Sequence, residues 1–310
     1  MIRPRDIALA NGIDAGLDAF SHAHGELPGI STQERRDALK EQLVESVHRV
    51  SYVQVVRGRP ISTRRANPDD EMFDPLKAAI LHQQSGNNEE AFWLVFLFVH
   101  FGRSGRGGWR YVREVYGRLG DGSRWDWART SADPVAFRAW LRAHQDTIRR
   151  AGVPGGFGNH RKRESLDADS ATGTGAVVES YVRWIAPPRT HQEIIAQAAN
   201  QGGNDPKNTF DVLYNSMNAV VRFGRLAKFD YLTMLGKLGL ANIVPGSPYL
   251  KGSSGPRKGA ALLFGGNSSA ETLDAKVVDL DQELHVGMQV LEDGLCNWQK
   301  SPDKFVPFRG

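Results

Sequence analysis

The chain reads as all-α with two helical lobes, on three observations. Apolar residues recur at helical spacing along most of its length, cap residues followed by proline punctuate it, and alternating strand patterns are nearly absent. Thr32 to Val56 is predicted to be one long amphipathic helix. Asp74-Pro75 opens another that runs to about Gln84, Ser85-Gly86-Asn87-Asn88 breaks it, and Glu89 to Phe101 begins again. Asp133-Pro134 is an N-cap followed by proline at the first helical position, and that helix is expected to reach Ala151 before Gly152 closes it. Thr190 and Glu193 have capping-box spacing. Asp205-Pro206 repeats the cap-and-proline device before an expected helix from Lys207 to Arg222; a further helix follows Gly224. The last helix is expected to span roughly Ser269 to Asn297. The pattern suggests an N-terminal helical segment over 1–70 that packs as one unit with a larger domain over 71–310. Two Pro/Gly-rich loops, Pro154 to Gly158 and Pro245 to Gly259, are long enough to carry function.

Apolar residues make up 40% of the chain and charged residues 24%, which places it among globular proteins with their own core. A single cysteine, Cys296, excludes an internal disulfide framework and suits a reducing compartment; packing explains it better than nucleophilic chemistry does. The apolar run Ala91 to Phe101 is too short to span a bilayer and fits a helix buried on most faces. Residues 1–6 lack the apolar run of a secretion signal, so a cytoplasmic location is expected, with no membrane partner. The nine histidines fall in no metal-ligand spacing; His82, His100 and His144 read as packing or surface residues, and neither metal nor cofactor is expected.

Charge is unevenly spread. From Phe101 to Ser165 there are 14 Lys+Arg against 6 Asp+Glu, and all but one of the cations are arginine. Arginine holds phosphate bidentately, and Trp109, Tyr111, Tyr116, Trp125 and Trp127 are interleaved with it. That combination is the electrostatic footprint of a nucleic-acid binder. The sharpest local signal is Phe157 to Leu166, where glycines precede a dense polar cluster. His160 and Glu164 are candidate pocket residues there, and Arg161, Lys162 and Arg163 are candidate phosphate contacts.

Three further constellations suggest chemistry. Val220 to Leu232 has the look of a helix-hairpin-helix: Gly224 is its turn, Arg222, Arg225 and Lys228 flank it, Asn218 precedes it, and Asp230 sits in the second helix as a candidate acid. The motif usually has two glycines, so an ordinary helix corner is the alternative. Gly255-Pro256-Arg257-Lys258 reads as a turn opening a helix, with Gly255, Arg257 and Lys258 placed to meet phosphate, although it is not a P-loop. Asp274 follows it. Finally, Glu292, Cys296 and Lys300 (or Gln299) share one helical face if the helix persists, and with Asn297 and Trp298 they are candidates to line a base-sized pocket.

Taken together, the runs FLFVHFGRSGRGGWR, GGFGNHRKRESL, MNAVVRFGRLAKFDYLTMLGKLGLANIVPGSPYL and GMQVLEDGLCNWQK resemble the α-glutamyl/putrescinyl thymine pyrophosphorylase family, clade 3, over roughly residues 70 to 305. The resemblance implies a helix-hairpin-helix DNA glycosylase-like fold and work on hypermodified pyrimidines of phage DNA. Its leading implication is a glycosylase that excises the modified base and leaves an abasic site, an activity suited to anti-phage defence. The alternative is a transferase that displaces pyrophosphate from an activated 5-hydroxymethyl pyrimidine with an amine; a non-catalytic DNA-binding module is a third reading. The implied partner is double-stranded DNA with modified bases, bound by a monomer. Glycosylases of this fold place an aspartate shortly after the hairpin, and neither Asp230 nor Asp274 sits cleanly there, so Glu292 ranks beside Asp230 as candidate acid and Asp274 below both.

If the basic track meets about six phosphates, log affinity for DNA falls with log salt at a slope of about −5. A titration of binding against salt checks this, and a flat response removes the claim.

Overall fold

The computed structural model describes residues 2–150, 158–159, 162–266 and 268–307. Among these the fold is all-α. Its helices are α1 (Ile7–His24), α2 (Gln33–Arg57), α3 (Pro75–Gln84), α4 (Asn88–Phe101), α5 (Arg110–Tyr116), α6 (Trp127–Ala132), α7 (Pro134–Arg150), α8 (Thr174–Ile185), α9 (His191–Gln201), α10 (Pro206–Ser216), α11 (Arg225–Leu238), α12 (Gly255–Phe264), α13 (Ala270–Leu284) and α14 (Met288–Trp298). Two two-residue segments, β1 (Gly158–Asn159) and β2 (Lys162–Arg163), pair antiparallel. No helix among the described residues is long and apolar enough to cross a membrane.

Several helix starts follow from their caps. Asp74 accepts from Leu76 N and Lys77 N at 3.1 and 3.2 Å, and Asp205 accepts from Lys207 N and Asn208 N at 2.9 and 2.8 Å. Each satisfies two N–H groups that the helix itself leaves unpaired, with proline filling the first helical position. Thr190 and Glu193 form the full capping box.

Two expected helices differ. The segment expected to be helical from Lys207 to Arg222 leaves the α-helix at Ser216, passes through a 3-10 turn at Met217–Ala219, and bends at Val220 to Gly224. The expected helix from Ser269 to Asn297 is two, because His285 and Gly287 take left-handed φ of 52° and 91° and Asp281 Oδ1 draws in the N–H groups of Val286 and Gly287. The end of α7 expected at Ala151 and Gly152 lies outside the described residues.

The chain divides into two compact units, Met1–Val55 with Pro245–Gly310, and Val56–Val244. In the first, Leu17 and Phe20 of α1, Leu39 and Leu43 of α2, and Leu263, Leu273, Val277, Leu291, Leu295 and Trp298 of α12 to α14 make one apolar core. Arg36 and Lys40 of α2 tie to Asp14 of α1 at 3.0 and 2.7 Å, and Arg49 to Asp293 of α14 at 2.6 Å. Glycine sets how closely α12 approaches α14. A Cβ on Gly259 would drive into Leu295 O, and one on Gly255 would lie 2.6 Å from Cys296 Sγ. In the second unit α4 is the central rod: Phe92, Trp93, Leu94, Val95 and Phe96 are fully buried, as expected of the apolar run. Trp93 donates from Nε1 to Trp125 O at 2.8 Å, so its one polar group is satisfied.

Gly259→Ala is expected to destabilise the first unit by about 1–3 kcal/mol, because the obstructing atom is backbone and the helices must part. Chemical denaturation checks this; a wild-type midpoint would show that the two helices can slide without cost.

Candidate functional site

In the second unit the bend between α10 and α11 is held from both sides. Val221 N donates to Ser180 Oγ at 2.9 Å, and Phe223 N to Val220 O at 3.1 Å. Val220 and Phe223 are buried, and Phe223 stacks on Phe96 with centroids 5.1 Å apart. With both apolar neighbours turned inward, Arg222 is forced outward and takes a left-handed φ of 61°. Gly224, expected to be the residue that needed this freedom, has φ −70° and ψ −172° and serves as the N-cap of α11, with open space where a Cβ would go. That expectation is corrected: the conformational demand falls on Arg222, and alanine is tolerated at 224.

Arg222 reaches Glu164. Its Nε donates to Oε2 at 3.4 Å, and the Glu164 side chain is 1% exposed while that of Arg222 is 46% exposed. A carboxylate taken out of water this far needs a cation beside it. Glu164 is fixed through its neighbour: Thr174 donates from N and Oγ1 to Ser165 O, each at 3.0 Å. His100 Nε2 lies 3.0 Å from Thr174 Oγ1; because that hydroxyl spends its proton on Ser165, the ring nitrogen is the donor. Two more expected site residues meet nearby in sequence. Lys228 Nζ donates to Asn218 Oδ1 at 2.6 Å and lies 3.9 Å from the Tyr214 ring centroid. Lys228 is 6% exposed, and burial lowers its pKa. It therefore faces the interior of its unit, where the sequence reading had it meet phosphate. Arg225, in the first turn of α11, lays its guanidinium 5.0 Å from the Phe229 ring centroid. No side chain caps the start of α11, which leaves a partial positive charge there.

The other expected residues are distributed as follows. His160 and Arg161 lie outside the described residues; Lys162 and Arg163 are placed by backbone alone, paired with Asn159 and Gly158. Asp230 is half-buried in α11. In the first unit, Asp274 accepts Leu250 N at 3.0 and 3.3 Å, so it fastens the 249–250 corner, where Tyr249 has φ 50°. Glu292 is 3% exposed in α14. Gly255 sits against Cys296, while Arg257 and Lys258 are exposed in the first turn of α12. At the far end of α14, Lys300 Nζ donates to Asn297 Oδ1 at 2.9 Å, and Asn297, Trp298 and Lys300 line a cleft of about 290 Å³. Gln299, expected in that pocket, instead donates to Cys296 O at 3.2 Å and closes the helix end.

Sequence reasoning missed the buried polar system around α4. Glu89 Oε2 lies 2.7 Å from His191 Nδ1, His191 Nε2 lies 2.6 Å from Tyr181 OH, and Tyr181 OH lies 2.8 Å from Tyr231 OH. Burial lowers the pKa of His191 against the pull of Glu89, so the ring is held neutral. Beside it, Glu90 accepts Tyr116 OH and Trp127 N, both at 2.7 Å. Burial raises its pKa to about 7, partly offset by those two hydrogen bonds. The only sequence signal was a pair of glutamates after an asparagine, which read as a helix start. Among the described residues, no three His, Cys, Asp or Glu side chains are grouped to hold a metal ion.

An all-helical protein with uncapped helix starts flanked by arginine, and a buried carboxylate paired to one of them, has the make-up of an anion-handling enzyme. Residues 34–310 match one family, and the chain belongs to it: the alpha-glutamyl/putrescinyl thymine pyrophosphorylases, clade 3. The family's name is that of an enzyme working on thymine. Neither a curated protein nor a solved structure matches the chain.

The raised pKa of Glu90 gives a pH dependence with a defined sign. Between 4.5 and about 7 the folded chain keeps a proton that the unfolded chain has lost, so stability falls as pH rises through that window and levels off above it. Glu90→Gln, which keeps an acceptor for Trp127 N and a partner for Tyr116, should flatten the decline in melting temperature from pH 5 to pH 8. An identical slope in both proteins would assign the decline to other groups.

Proposed function

We propose that this chain acts on hypermodified pyrimidines in double-stranded DNA and displaces pyrophosphate from an activated 5-hydroxymethyl group with an amine. In that reaction the bond from the exocyclic carbon to the pyrophosphate oxygen breaks, pyrophosphate leaves with the electron pair, and the amine nitrogen bonds to carbon and gives up a proton. The observation that carries the choice is the Glu164–Arg222 pair beside the uncapped start of α11. The half-exposed guanidinium of Arg222, with Arg225, suits the charge that builds on a leaving pyrophosphate, and Glu164 suits the amine proton. The family's name supports the same direction. Arg161, Lys162, Arg163, Arg257 and Lys258 are the phosphate contacts of this reading, and His160 and Asn218 lie next in sequence to its base-holding residues. The DNA is bound by a monomer.

Base excision to an abasic site is the second reading, favoured by the α10–α11 corner, whose bend and uncapped second helix suit the grip of a helix-hairpin-helix on a DNA phosphate. It asks for a carboxylate that stabilises positive charge on the sugar. Asp230 and Glu292 stand as candidates, while Asp274 is occupied with Leu250.

The test incubates purified protein and an amine with modified phage DNA, and follows released pyrophosphate, released base and incorporated amine by mass spectrometry. Pyrophosphate release with amine incorporation is expected; released base with abasic sites transfers the assignment to excision, and no product of either kind removes both. The double variant Glu164→Gln/Arg222→Gly should lose about 10²-fold in turnover and keep its melting temperature, because glycine accepts the left-handed φ and no buried charge is left unpaired. Full turnover in that variant would move the chemistry away from this pair.

A further inference from the structure

Residue Gln42 of α2 is 3% exposed and lines the cleft at the end of α14, yet its amide Nε2 has no hydrogen-bond partner among the described residues. A buried amide donor without a partner costs about 1–3 kcal/mol, and a protein keeps such a group where a ligand completes it. The other walls are Ala38, Trp298, Phe305, Val306 and Pro307, with Asn297, Lys300 and Ser301 at the polar side. Asn297 is already engaged: it donates to Asp293 O at 2.9 Å and accepts from Lys300 at 2.9 Å. Ser301 Oγ gives its proton to Lys304 O at 2.8 Å and so faces a ligand only as an acceptor.

We propose that this cleft binds one pyrimidine ring as a nucleoside or nucleotide, and that Gln42 reads its edge. A volume of about 290 Å³ is at the small end for ligand pockets, enough for one ring with part of its sugar and too little for a dinucleotide. A carboxamide offers a donor and an acceptor side by side, which is the complement of the carbonyl and ring N–H of thymine. Phe305 and Pro307 give flat apolar walls for the faces of the ring, and the Lys300 ammonium at the polar side suits a 5′-phosphate. The inference deepens the reading of the chain as a pyrimidine-acting enzyme. It stands on the cleft alone, since its test measures binding and needs no turnover.

The probes are thymidine 5′-monophosphate and, as a control of larger ring, adenosine 5′-monophosphate, each titrated into the full chain by calorimetry and by thermal shift. Thymidine 5′-monophosphate is expected to bind and raise the melting temperature, with the adenine nucleotide at least tenfold weaker. Gln42→Leu keeps the size and deletes the unpartnered amide, so the free protein should melt at or above the wild-type temperature while affinity falls at least tenfold. Lys300→Gln should weaken the monophosphate and leave thymidine unchanged. Absence of binding in the wild type overturns the proposal, as does equal affinity for the two nucleotides, or a Gln42→Leu protein that binds normally. If Gln42→Leu fails to fold, Asn297→Leu and Lys300→Gln report on the same cleft, and undiminished thymidine 5′-monophosphate binding in both also overturns it. Binding without conversion of modified DNA would leave this cleft assigned and remove the reaction proposed above.

Discussion

The second unit is organised by one chain of buried hydrogen bonds. Glu89 stands in the first turn of α4, His191 opens α9, Tyr181 lies in α8 and Tyr231 in α11. The protons can be ordered only one way when the carboxylate is ionised. Glu89 accepts from His191 Nδ1, Nε2 then accepts from Tyr181, and the Tyr181 oxygen accepts from Tyr231. Four helices are thereby fixed by groups that would each be costly to bury alone. Glu89 also accepts the backbone N–H of His191 at 3.1 Å, so one carboxylate steadies the starts of two helices. Burial raises the pKa of both tyrosines, so neither ionises near neutral pH and the direction of the chain is kept. Aromatic rings enclose it: Phe92 is stacked on His191 with centroids 4.8 Å apart, and Phe96 on Tyr181 at 3.8 Å.

That frame explains why a strained arginine can persist at the bend. Phe223 stacks on Phe96 and meets Tyr231 edge-on, so its position is set by the same rings that enclose the proton chain. Ser180, one residue before Tyr181, takes the N–H of Val221. Between two anchored neighbours, Arg222 has little choice of backbone, and a left-handed φ for such a residue costs on the order of 1–3 kcal/mol. The surroundings over-determine it. Strain of this kind is common where a side chain must be aimed, and here it is aimed at Glu164, itself held through Ser165, Thr174 and His100.

What could be read from the sequence was whatever local chemistry dictates. Asp74, Asp205 and Thr190 are found where their caps were expected, and the apolar run from Ala91 is the buried rod of its unit. The errors came where a distant partner decides. Gly224 looked like the turn because glycine usually supplies positive φ; the packing of Phe223 moved that demand to Arg222. Helix α1 left little trace because Gly12 and Gly16 weaken its pattern. Gly16 is there for contact, since a Cβ on it would lie 2.7 Å from Glu283 O of α13. Contact between α1 and α13, or between Gln42 and residues near 300, spans almost the whole chain, and no periodicity reports it. Of the candidate site, the pairs Glu164–Arg222, Asn218–Lys228 and Asn297–Lys300 joined residues the sequence had singled out; Glu89, Glu90, His191 and Gln42 carried no motif.

The run Gly255-Pro256-Arg257-Lys258-Gly259 shows how one motif holds two meanings. Read as a phosphate turn, its glycines free the backbone and its cations meet the anion. In the structure the glycines face α14, where Leu295 O and Cys296 Sγ leave no room for a side chain, and the cations point away from that contact into solvent. Close packing and charge display are therefore divided between two faces of one short helix. The i and i+4 spacing of Gly255 and Gly259 is the signature of the first; the adjacent pair Arg257-Lys258 is that of the second. The same α14 that receives the glycines ends three residues later at Trp298, beside the cleft lined by Gln42. A side chain larger than hydrogen at position 259 would push on Leu295, and through that helix on the wall of the cleft. The glycines in this motif thus serve ligand geometry through packing, without touching a phosphate.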